Sequence, residues 1–90
     1  GLEDVALFRS LPDAVVLQPC DAVSADRLTL HMLKRTTGIT YLRALRGATP
    51  TIYSPQEKFE IGGGTLLRSS PHDTVLIVAS GVTVHEALGA

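Results

Sequence analysis

Arginine is well suited to gripping a phosphate, because its planar guanidinium presents several N–H donors in a rigid fork. The stretch TYLRALRG, Thr40 to Gly47, sets Arg43 and Arg46 at the end of what reads as a buried strand. Ligands of open α/β sheets gather beyond the carboxyl ends of strands, so a phosphate clamp belongs there. Strand side chains alternate, which puts Arg43 on one face with Tyr41 and Leu45, and Arg46 on the other face, nearer the loop. The two arginines therefore do not converge on one ligand. On pattern alone, a salt bridge to a neighbouring domain accounts for either of them equally well.

Other reactive side chains carry less. HEALG, His85 to Gly89, resembles the start of a helical zinc-protease motif, but the position one turn on that needs a second histidine holds Gly89, so no metal is expected. IGGGT, Ile61 to Thr65, lacks the lysine and the glycine spacing of a phosphate-cradling loop, and it reads as a flexible or closely packed segment. His31 falls mid-helix and His72 in a polar turn, and neither has an Asp, Ser or Cys in a recognisable catalytic order. Both are expected to be packed or solvated. Cys20 precedes a helix start, where a dipole lowers a thiol pKa, yet no partner base is visible, so a structural role is expected.

The elements that must position these groups follow from periodicity. LEDVALFRSL, Leu2 to Leu11, spaces its apolar residues at helical steps, with Glu3 and Asp4 at the anion-favouring end, and Pro12 stops it. AVVL, after Asp13, suits a strand buried on both faces in a parallel sheet, and Pro19 closes it. Asp21 is a good N-cap for the helix beginning at Ala22, with Lys34 and Arg35 near its end and Gly38 where a C-cap glycine belongs. ITYLRAL returns as a β-branched and aromatic strand. After Gly47 come prolines and three consecutive glycines, which read as a connection, and then an edge strand or loose hairpin ending in the turn-like SSPHD. TVLIVAS, Thr74 to Ser80, is the clearest core strand, and VTVHEALGA opens a helix. A strand, a glycine turn and a helix start make the beginning of an α/β unit whose other strands are missing.

The chain has 90 residues, 44% of them apolar and 19% charged, with a formal net charge of -1. Such a composition is that of a globular protein with a thin core rather than a disordered one. There is no basic excess to suggest nucleic acid. The longest apolar runs fall far short of the roughly 20 residues a bilayer span needs, and no signal peptide is expected at the N-terminus. The lone Cys20 excludes an internal disulfide and a cysteine-based zinc cage, which fits a reducing compartment, with the cytoplasm as the default.

Several stretches taken together resemble transketolases: LEDVALFRSLP, QPCDAVSADR, GITYLRALRG, TIYS with FEIGG, and GVTVHEAL, in order and spacing. The resemblance covers nearly the whole chain, and its first and last stretches carry the most specificity. It implies an α/β fold of incomplete three-layer parallel-sheet units: residues 1–47 as the C-terminal part of a pyrimidine-binding domain, 48–64 as an interdomain linker, and 65–90 as the start of the transketolase C-terminal domain. It also implies a parent homodimer that uses thiamine diphosphate with magnesium or calcium to move a two-carbon ketol unit between sugar phosphates. Arg46 matches the arginine that binds substrate phosphate, and Arg9 matches, with less support, one that helps bind phosphate in related deoxyxylulose-phosphate synthases. No catalytic, cofactor-binding or metal-binding residue carries over onto this chain. The diphosphate and magnesium motif, the activating glutamate and a histidine-rich loop are absent from these residues, so the chain is expected to be a fragment, inactive by itself and without bound cofactor. Competing expectations are a piece of a deoxyxylulose-phosphate synthase or of a 2-oxo acid dehydrogenase beta chain, and a non-catalytic interaction module. GVTVHEAL favours transketolase over the other two enzymes.

Overall fold

Two parallel strands joined by a helix organise the first half of the molecule. The computed structural model describes residues 2–90. Its elements are α1 (Asp4–Arg9), β1 (Ala14–Leu17), α2 (Ala22–Lys34), β2 (Ile39–Leu42) and α3 (Thr83–Gly89). β1 and β2 pair in parallel, with Ala14 opposite Ile39 and Leu17 opposite Leu42. A parallel pair needs a long crossover, and α2 provides it. The architecture is α/β, with a two-stranded sheet among the described residues.

α1 is shorter than its apolar spacing predicts. Asp4 in its first turn and Arg9 in its last complement the helix dipole. Ser10 closes the helix by donating its hydroxyl to the Leu7 carbonyl at 2.7 Å, and Pro12 cannot continue it. β2 also stops early, at Leu42 rather than Leu45. Its neighbour β1 ends at Leu17, and Pro19 has no N–H to extend the ladder. The Arg43 amide still donates to the Leu17 carbonyl at 2.9 Å, and beyond it the chain leaves the sheet.

α2 begins as the sequence predicts. Asp21 is its N-cap, accepting from the Ser24 amide, while the Ser24 hydroxyl accepts from the Asp21 amide to close a capping box. The helix ends at Lys34, with Arg35 already extended, so Gly38 is not its immediate cap. Instead Gly38, at φ +74°, makes the turn into β2. A Cβ there would lie 2.5 Å from the Asp13 carbonyl oxygen and 2.7 Å from Arg35 Nη2. Those two atoms are hydrogen-bonded to each other at 2.6 Å, which ties the end of α2 to the start of β1 and leaves no room for a side chain.

The expected core strand at Thr74 to Ser80 does not form. Val75, Leu76, Ile77 and Val78 are 75%, 80%, 58% and 88% exposed, and the segment has no strand partner among the described residues. A run that is apolar on both faces is stable as a strand only with neighbours on its edges and layers over its faces. The described residues supply neither. The expected edge strand or hairpin between Glu60 and Asp73 is likewise irregular. α3 does form, and its Val84 is buried in a groove shared with Leu17 and Cys20. Among the described residues, no helix is long and apolar enough to cross a membrane.

Gly38→Ala should destabilise the fold by about 1 kcal/mol or more, since it combines a left-handed backbone with backbone overlap. A lower chemical-denaturation midpoint at unchanged slope checks this.

Candidate functional site

The segment from Leu42 to Tyr53 leaves the sheet, carries Arg43 and Arg46, and is anchored at both ends. At its near end, Tyr41 lies flat on Phe8 of α1, with ring centroids 4.0 Å apart and planes 6° from parallel. The Tyr41 hydroxyl donates to Asp4 Oδ2 at 2.5 Å. Arg43 approaches Asp4 Oδ1 at 3.5 Å as an ion pair, and that oxygen, shielded from water, accepts no hydrogen bond. The hydrogen bond from Tyr41 is the chief reason the Asp4 carboxyl is held below the ordinary carboxylate range, with Arg43 adding to it. The same bond pushes the Tyr41 phenol upward. Tyr41 and Arg43 thus meet on the same carboxylate, although β2 ends at Leu42, before either arginine.

Arg46 lies past the end of β2 in an exposed bend. Of the six arginines in the chain, Arg27, Arg35, Arg43 and Arg68 bond to Pro55 O, Asp13 O, Asp4 and Leu88 O respectively. Among the described residues, Arg46 and Arg9 have no such partner. Arg9, at the end of α1, lines an open cleft of about 410 Å³ with Val5, Ala14, Val16, Gln18 and Ser80. Arg46 does not line that cleft, so the two arginines are not gathered at one cavity.

At the far end of the segment everything converges on Cys20 and Asp21. Asp21 is 4% exposed and uses both carboxylate oxygens. Its Oδ1 accepts from the Ser24 amide and hydroxyl, each at 2.7 Å, and its Oδ2 accepts from the Ile52 and Tyr53 amides at 2.9 and 3.0 Å. Burial pushes this carboxyl up, but the hydrogen bonds from Ser24, Tyr53 and Ile52 outweigh it and hold the group below its ordinary value. The Cys20 carbonyl accepts from Thr49 Oγ1 at 3.0 Å and lies 2.6 Å from His85 Nε2. A carbonyl only accepts, so Nε2 carries the proton. His85 is therefore a tie between α3 and the start of α2.

The remaining candidates divide simply. Cys20 is a buried thiol whose pKa is raised, first by burial, which is the opposite of nucleophile activation. Gly62 to Gly64 line an open groove of about 360 Å³ that also contains Cys20, Tyr53 and Val84. His31 is half-buried on α2, and His72 is exposed in the turn after Pro71. Among the described residues, no three His, Cys, Asp or Glu side chains come together as metal ligands. The spacing of Asp21 and Ser24 is a capping-box signal in the sequence, whereas the bonds of Asp21 to Ile52 and Tyr53 and of Cys20 to Thr49 and His85 leave no local trace.

No family model matches the chain. Among curated proteins, it is 44% identical over all 90 residues to transketolase-like protein 2 of Bos taurus and 42% identical to that of Homo sapiens. It is 38% identical over the same length to transketolase of Mus musculus. The chain spans about 14% of the length of these relatives.

Two outcomes follow from these anchors. Tyr41→Phe should raise the Asp4 pKa toward the ordinary value of about 3.9, read from its carboxyl carbon resonance. For Asp21, a folded pKa below the unfolded one means that its stabilisation is complete above about pH 3.9 and disappears as pH falls through the lower folded value. Hydrogen exchange at the Ile52 and Tyr53 amides should accelerate, relative to the α2 interior, across that acid range.

Proposed function

We propose that this chain is part of a transketolase: a segment of an enzyme that moves a two-carbon ketol unit between sugar phosphates, in which Arg46 grips the substrate phosphate. The identity of up to 44% across every residue of the chain supports the family. The guanidinium of Arg46, without a partner among the described residues and on a bend anchored at both ends, supports its role. A fork of N–H donors outside the sheet is free to form charge-assisted bonds with phosphate oxygens, whereas Arg43 is already committed to Asp4. Arg9, also without a partner among the described residues, is a second and weaker candidate for phosphate.

In this reading residues 1–47 end a pyrimidine-binding domain, 48–64 link it to the next, and 65–90 begin the C-terminal domain. The remaining strands and layers of both three-layer units come from the rest of a homodimeric, cytoplasmic parent. Thiamine diphosphate in the parent supplies the carbanion chemistry. Among the described residues there is no cluster of ligands for that cofactor's magnesium or calcium. The carboxylates of Asp4 and Asp21 are engaged, Asp4 by Tyr41 and Arg43, and Asp21 by Ser24, Ile52 and Tyr53. No chemical step is therefore assigned to these residues, and alone they are inactive.

In the full-length parent, Arg46→Ala should raise KM for phosphorylated substrates about 10- to 100-fold, the loss expected of a charge-assisted contact. Turnover of an unphosphorylated donor should be spared. Equal losses with both kinds of donor would remove Arg46 from the phosphate site.

A further inference from the structure

A guanidinium on an exposed bend grips an anion efficiently only if the bend is held beforehand, because ordering a loop on binding costs conformational entropy at that moment. The Arg46 segment is held at its near end by the Arg43 amide on Leu17 O and by Arg43 beside Asp4. At its far end it is held by Thr49 on Cys20 O and by the Ile52 and Tyr53 amides on Asp21. Three acceptor atoms of residues 17 to 21, where β1 passes into α2, take four of the bonds that hold it.

Resting on the reading of Arg46 as the phosphate grip, we propose that Asp21 is a positioning residue for that grip: its Oδ2 holds the Ile52 and Tyr53 amides and thereby fixes the loop bearing Arg46, without touching the ligand. The two oxygens of Asp21 have separate duties. Oδ1 caps α2 through Ser24, and Oδ2 tethers the loop. This division allows the duties to be separated by mutation. Asparagine is as good an N-cap as aspartate, so Asp21→Asn keeps an acceptor for the Ser24 amide. Its NH₂ group then faces two amide donors, and the tether is lost. Ser24→Ala does the reverse, weakening the cap while leaving Oδ2 and its two amides in place.

The test compares Asp21→Asn, Ser24→Ala and Arg46→Ala in the full-length parent, with a phosphorylated substrate and an unphosphorylated donor. Asp21→Asn should raise KM for the phosphorylated substrate roughly 3- to 10-fold, with kcat for the unphosphorylated donor unchanged. Ser24→Ala should lower the melting temperature without altering the ratio between the two donors. Asp21→Asn affecting both donors alike, or matching Ser24→Ala in that ratio, overturns the positioning role. A phosphate-selective loss in Arg46→Ala with none in Asp21→Asn overturns it while leaving Arg46 in place; no selective loss in Arg46→Ala overturns the reading of Arg46 itself. If Asp21→Asn does not fold, Thr49→Val releases the second tether to Cys20, with the same selective rise expected and an equal loss counting against the role.

Discussion

A carboxylate removed from water must find hydrogen bonds elsewhere, and Asp21 finds four. Two come from Ser24 on its own helix and two from backbone more than thirty residues away. This requirement joins the N-terminus of α2 to the segment that follows β2, and it fixes where that segment can run. The Arg46 bend, the Thr49 contact and the docking of α3 through His85 all lie within reach of this junction. The small sheet gives the molecule its direction, and the buried carboxylate gives the irregular half of the chain a fixed point.

The near anchor works by different physics. Phe8 and Tyr41 stack face to face and bring α1 over the sheet, and the phenol and Arg43 then share one carboxylate. Asp4 serves as dipole partner for its helix and as counter-charge for Arg43. With Arg43 held beside Asp4, the next arginine along is left without a partner among the described residues. A pair of similar residues three positions apart is thereby divided between scaffold and surface.

The helices and both paired strands were legible in local patterns: apolar spacing in α1 and α2, the Asp21 cap, the β-branched start of β2, and the glycine turn before α3. Their ends were less legible, because an end depends on a partner. β2 stops where Pro19 denies it a ladder, and α2 stops where Arg35 turns to reach Asp13. The run from Thr74 to Ser80 was misread for the same reason on a larger scale. Its composition records an environment buried on both faces, and that environment is not built by these residues. For the candidate site, strand parity stops at Leu42 with β2 and does not reach Arg46, and the Oδ2 tether had no signature, since backbone amides donate whatever the side chain.

Cys20 takes part in the junction through its carbonyl, which receives Thr49 and His85, rather than through its sulfur. The convergence of three chain segments at that point is therefore largely blind to which side chain occupies it, provided the side chain is small enough to be buried. A lineage can exchange a thiol there for a hydroxyl or a methyl group and keep the wiring, whereas the neighbouring aspartate, whose two oxygens do different work, has no equivalent substitute.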